Sequence, residues 1–337
     1  MQIDLILEPD CTPSQIAELA GMAEDYGVRT LWASNYSSAR DVFMSLVPTA
    51  TATSRLGIGV LVVSPWEMHP LKIANALLTL NEYCDGRAQI VISGGGEWCG
   101  VMGSGHARRV RAVRETIELI KAAATGETLN FDGELYKAWG FDAAWAQQPP
   151  PSVYAGASKR QMFRMGATFA DGAMMSDVPP LPILDESVGI IRARLAEVGR
   201  EDEAFRISNF WAWHVKADRD TSLREARREM ILRGWLVRYH LEPFMTSEEI
   251  DLVEENKGAF LDAYNDRSGD IKGVPPEIVD KLIENFTFSG DPGDIDRHVE
   301  TLRRFEQAGL TEIALRLHDD PADAIRLIGE RVMPAFR

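Results

Sequence analysis

Glu97 directly follows three glycines, Gly94, Gly95 and Gly96, which in turn follow the apolar run Ala88-Gln89-Ile90-Val91-Ile92. Glycines let a backbone approach a ligand closely, and a side chain just past the C-terminal end of a strand lies where α/β proteins bind ligands. A carboxylate at a helix start is also favoured simply by the helix dipole. Other groups stand at comparable places: Glu8 after Ile3–Leu7, Asn35 and Tyr36 after Val28–Ala33, and Trp66 after Leu56–Val63. Glu8 reads as a second pocket carboxylate or, equally well, as a solvated strand end. Trp66 and Trp98 read as walls of an aromatic substrate pocket, with rim packing as the competing account. Gly156-Ala157-Ser158-Lys159 follows Val153–Ala155 and precedes helical sequence, so its amides and hydroxyl suit a phosphate. Taken alone, Ser158 reads first as an ordinary N-cap. The glycines at 94–96 do not make a dinucleotide fingerprint, because Cys99 occupies the third glycine position.

These residues must be gathered by strands that end on one face. Thr12-Pro13 marks a capped helix start, and helical and strand patterns alternate from there. Strands are expected at Ile3–Leu7, Val28–Ala33, Leu56–Val63, Ala88–Ile92, Val153–Ala155, Gly172–Met175, Ile207–Val215 and Ile313–Leu317. Eight such units favour a closed α/β architecture, a (β/α)₈ TIM barrel, over an open sheet. One domain is expected over 1–337, with insertions at about 125–150 and 235–290. The second is acidic and helical, and it precedes the last strand.

The 337 residues carry 51 Asp and Glu against 36 Lys and Arg, a net charge of -15. That balance argues against nucleic acid or an anionic membrane as the main partner. The N-terminus lacks the basic and apolar regions of a signal peptide, and no apolar run is long enough to span a bilayer, so a cytoplasmic location is expected. Cys11, Cys84 and Cys99 show neither metal-type nor disulfide-framework spacing, and no metal is expected. The run Arg108-Arg109-Val110-Arg111 with Arg114, Glu115 and Glu118 at helical spacing reads as a solvated face, with a hold on a charged cofactor tail as the lesser alternative.

Read in order, Leu56–Val63, His69-Pro70-Leu71, Asp85-Gly86-Arg87, Gly94–Glu97, Phe131-Asp132-Gly133, Val153–Ser158 and Ala170-Asp171-Gly172-Ala173 resemble the bacterial luciferase-like oxidoreductases. The blocks span nearly the whole chain and lie nearest the coenzyme F-420-dependent, methylenetetrahydromethanopterin reductase-like branch. The resemblance implies a TIM barrel, often a homodimer, binding coenzyme F-420 or FMN at the strand C-termini. It aligns Gly59-Val60 with a non-prolyl cis peptide that backs the flavin ring, Gly95 and Gly96 with its floor, and Gly156, Ala157 and Ser158 with its phosphate. It implies that Glu97 manages the proton accompanying hydride transfer. The branch's dehydrogenases carry Asp-His after the second strand, where this chain has Asn35-Tyr36. An unperturbed phenol is a poor base near neutrality, which puts oxidation of a sugar alcohol in doubt. The leading expectation is hydride transfer between coenzyme F-420 and a small organic substrate. The alternatives are an FMN-dependent monooxygenase fed by a flavin reductase, and a flavin-binding barrel without catalysis.

Overall fold

The computed structural model describes residues 1–104, 107–176, 182–233 and 236–337. Its parallel strands are β1 Gln2–Leu7, β2 Thr30–Ser34, β3 Gly57–Val63, β4 Ala88–Ile92, β5 Ser152–Ala157, β6 Gly172–Ser176, β7 Arg206–Trp213 and β8 Glu312–Leu317. Each pairs with the next, and β8 pairs with β1, so the sheet closes into the expected eight-stranded barrel. Local chemistry sets the helix limits. Thr12 and Gln15 form a reciprocal capping box ahead of Pro13–Tyr26, and Gly27 ends that helix at a φ of 83°. Asp41 accepts from the Met44 N–H to start Val42–Ala52.

The first insertion contains the hairpin Leu129–Asp132 and Lys137–Phe141. Helices Arg238–Leu241, Ser247–Glu255, Lys257–Asn265 and Pro276–Phe286 lie between β7 and β8. They enclose their own apolar cluster, including Leu241, Phe260, Leu282 and Phe286. The expected first residue of that insertion, 235, lies outside the described residues. No helix among the described residues is long and apolar enough to cross a membrane.

Alternation along the strands sends every second side chain inward. Ile6, Trp32, Leu61, Val91, Met174 and Ala314 share one interior cluster with the ring of Tyr154. Below it, the N-terminal end is closed by polar groups. Arg29 meets buried Asp4 at 2.5 Å and Glu312 at 2.9 Å, and the Tyr154 hydroxyl donates to Glu312 at 3.0 Å. Burial, then the neighbouring Asp4 charge, pushes the Glu312 carboxyl up to about 7. This end is filled, so a ligand must use the other.

Candidate functional site

The C-terminal end of β3 is held by Asn35. Its backbone N–H donates to Leu61 O at 2.7 Å, and its side-chain amide donates to Val62 O at 3.0 Å. A cis peptide links Leu61 to Val62, not Gly59 to Val60 as the alignment of blocks implied. The glycine was a misleading marker. Gly59 lies in regular pairing with Trp32 and Gln89, and a Cβ there would fall 2.2 Å from the Trp32 ring. Its missing side chain makes room for an indole. Val60 belongs to the outer core, and the register with β4 slips only between Val60 and Val63. Val62 is the β3 residue that reaches the open cleft.

Asn35 also joins two neighbours. It donates to Glu67 Oε1 at 3.2 Å and accepts from Trp98 Nε1 at 3.2 Å. Glu67 also accepts from the Ser64 N–H at 2.5 Å, and burial pushes its carboxyl up despite those bonds. Sequence reading passed over Glu67. Trp98 thereby braces the short helix Glu97–Val101, and neither it nor Trp66 lines the two large cavities at this end.

A cleft of about 1210 Å³ opens over the ends of β4, β5 and β6. Gly94, Gly95 and Gly96 form one edge, and Gly156, Ala157 and Ser158 form another. A Cβ on Gly156 would meet Ser93 Cβ at 3.0 Å, so that strand end lies tight against β4. Lys159, not Ser158, is the N-cap of Arg160–Phe169, and Ser158 is left facing the cleft. The helix Arg109–Ala123 supplies Arg109, Arg111 and Arg114 to the lining, beside Arg108, and Lys159 and Arg164 face them. The basic run is therefore not a purely solvated face. Among the described residues no carboxylate lines this cleft, although Glu134 pairs with Arg108 and Arg111, and Glu118 with Arg114. Glu115 also departs from the solvated expectation: it is buried and accepts from the N–H groups of Glu134, Leu135 and Tyr136. That ties the hairpin to the cationic helix.

Glu97 is exposed and begins the short helix, where it accepts from the Ser37 hydroxyl at 2.6 Å and the Ser37 N–H at 3.2 Å. It fastens the loop after β2 but lies off the cleft lining. Tyr36 points elsewhere, toward Arg316 of β8, whose guanidinium donates to its hydroxyl at 3.2 Å. Arg316 also meets Glu8 at 2.7 Å. Its signal in the sequence was a lone charge in the apolar strand Ile313-Ala314-Leu315-Arg316-Leu317, at the inward parity of Ala314.

Glu8 lines a second cavity of about 780 Å³, between the ends of β1 and β8 and the helical insertion. Its lining is the reverse of the first. Asp10, Glu18, Glu229, Asp319 and Asp323 join Glu8, against Arg228 and Arg267. Burial, then Asp10 and Glu8, pushes the Cys11 thiol up on its wall. Burial followed by Glu229, Tyr36 and Glu8 does the same to the Tyr264 phenol, contributed by the insertion.

The model of the family described as luciferase-like monooxygenase matches residues 5–312. The chain is 27% identical to the 5,10-methylenetetrahydromethanopterin reductase of Archaeoglobus fulgidus, with 100% of each chain covered. Its fold superimposes on the coenzyme F-420-dependent tetrahydromethanopterin reductase of Methanopyrus kandleri with a TM-score of 0.82, at 22% identity over 100% of both chains. An F-420-dependent secondary alcohol dehydrogenase gives 0.77 at 16% identity, over 100% of this chain and 99% of that one. With the closed barrel and its open, glycine-edged mouth, the match over residues 5–312 shows that this chain belongs to the luciferase-like monooxygenase family.

Proposed function

We propose that this chain is a coenzyme F-420-dependent oxidoreductase that transfers a hydride to or from a small organic substrate, with a methanopterin-type pterin as the leading candidate. The cationic cleft carries this reading. In a chain of net charge -15, Arg108, Arg109, Arg111, Arg114 and Lys159 gather on one cavity. Such a lining fits a phosphate-bearing, acidic-tailed cofactor. When bound, the deazaflavin supplies the hydride donor or acceptor. Val62 would back its ring, Gly95 and Gly96 would floor it, and Ser158 with Lys159 would hold its phosphate. The carboxylate-lined cavity beside Glu8 would take the substrate. The relatives' names support the cofactor and the pterin, and Glu97 would act by holding Ser37, and with it the Tyr36 loop, in place. A homodimer and a cytoplasmic location belong to the same proposal.

FMN is the second reading, since the family is described by its monooxygenases. The cations along Arg109–Arg114 extend beyond what one phosphate needs, which favours the longer anion. Fluorescence titration of the purified chain with each cofactor tests this. Coenzyme F-420 should bind more tightly than FMN, and its affinity should fall as salt rises. Replacing Arg109 and Lys159 together by Ala should weaken it at least tenfold. Tight binding of FMN with no affinity for coenzyme F-420 would overturn the proposal, and binding of neither would favour a barrel without catalysis.

A further inference from the structure

Arg316 sits at a costly place for a charge. It is 6% exposed, on the inward parity of β8, and stripping an ion of water costs several kcal/mol, ~3 or more, unless its partners are well placed. Its partners come from three other strands. Glu8, after β1, meets its Nε at 2.7 Å, and Ser34, at the end of β2, accepts from it at 3.4 Å. Phe210 of β7 packs on the guanidinium at 5.2 Å, and the Tyr36 ring lies at 5.9 Å. A hydrogen bond of 3.2 Å then runs from Arg316 to the Tyr36 hydroxyl. Phe210 lines the cationic cleft and Glu8 lines the acidic cavity, so this group stands between the two.

We propose that Arg316 is a positioning residue for proton transfer: held by Glu8, it fixes the Tyr36 hydroxyl between the two cavities and makes that phenol the group that gives or takes the proton accompanying hydride transfer. The proposal rests on the oxidoreductase reading above. In the reductive direction, an electrophilic carbon of the substrate gains the hydride, and the electron pair of its bond to a heteroatom shifts onto that atom. The Tyr36 O–H bond breaks and the proton passes to the heteroatom. The phenolate left behind is matched by the guanidinium and is reprotonated by water. The oxidative direction runs the same atoms backwards.

The charged and titratable groups around Tyr36 come from each neighbouring element. Arg316 donates to its oxygen from β8, Glu8 binds that guanidinium from β1, and Tyr264 approaches from the insertion. On its own loop Glu97 holds Ser37, and Glu67 holds Asn35. A donor directly on the phenol oxygen favours the ionised form, which a bare tyrosine reaches only near pH 10.

The test is ¹³C NMR of the full chain labelled at tyrosine Cζ, with the Tyr36 signal identified by its loss in Tyr36→Phe. Tyr36 should titrate below the ordinary tyrosine range, and Arg316→Gln should move it up by about one pH unit or more. A wild-type Tyr36 that titrates at or above the ordinary value overturns the proposal, even if Arg316→Gln fails to fold. An unchanged titration in folded Arg316→Gln also overturns it. With reduced coenzyme F-420 and methylenetetrahydromethanopterin as probes, Tyr36→Phe should lower kcat about 100-fold with KM little changed. A Tyr36→Phe variant with wild-type kcat sinks the proton role. Wild-type protein that binds no deazaflavin sinks the oxidoreductase reading instead, and the NMR titration still decides whether Arg316 governs the phenol.

Discussion

Asn35 and Val62 are joined by a 3.0 Å hydrogen bond from the side-chain amide to the main-chain carbonyl, and the same side chain accepts from Trp98. One residue after β2 thus fixes the end of β3 and the helix that begins with Glu97. Removing it leaves Val62 O, the Trp98 N–H and Glu67 short of a partner each. Asn35→Ala should destabilise the fold by about 1–3 kcal/mol in urea titration and weaken cofactor binding. Asn35→Asp should be worse than Ala on both measures, because it faces Glu67 and the Val62 carbonyl with a negative charge. An Asp variant that matches wild type would refute this account of the loop.

Gly59 and Gly96 look alike in the sequence and should respond in opposite ways. A Cβ at Gly59 would overlap the Trp32 ring at 2.2 Å, while one at Gly96 meets nothing within 4 Å. Gly59→Ala should lower stability by about 3 kcal/mol or more, or abolish folding. Gly96→Ala should melt close to wild type, since its φ of -167° is ordinary extended backbone. Thermal melts of the two variants check the contrast.

The barrel floor has its own pH signature. Glu312 is pushed up to about 7 in the folded chain, above the ordinary carboxyl value it regains on unfolding. Between those values the folded state holds a proton that the unfolded state has released. Its contribution is therefore fully present at low pH and is lost as pH rises through 7. Glu312→Gln removes that titration as well as the ion pairs with Arg29 and Arg206. The glutamine stands in for the neutral carboxyl, so the variant should match wild type near pH 4.5 and gain on it as pH rises from about 4.5 to 7. Melting temperatures of both proteins across that range test the sign.

The sequence made the architecture legible because its signals were local and repeated. Thr12, Asp41 and Gly27 each do at their helix ends what their chemistry dictates, and eight apolar runs supply eight barrel strands. The glycine edges of the cleft at 94–96 and 156 were also readable, since they flank strand ends. What escaped depends on contacts between distant segments. Gly59 looked like part of the cis peptide behind the ring, whereas Trp32, 27 residues earlier, fills the space beside it. The arginines of 108–114 looked solvated because their i, i+4 partners are sequence neighbours, whereas Lys159 and Arg164 face them only once the helix Arg160–Phe169 packs alongside. Glu8 was visible as a pocket carboxylate, but Arg316, 308 residues away, had no local clue beyond a charge in an apolar strand.

With its floor filled by Asp4, Arg29 and Glu312, the barrel has one working face, yet that face has two doorways. They sit over different arcs of the rim, β4–β6 and β8–β1, with Tyr36, Phe210 and Arg316 between them. An occupant of one doorway does not block the other. Such an enzyme can exchange its substrate while the cofactor stays seated, and its steady-state kinetics would show intersecting rather than parallel lines.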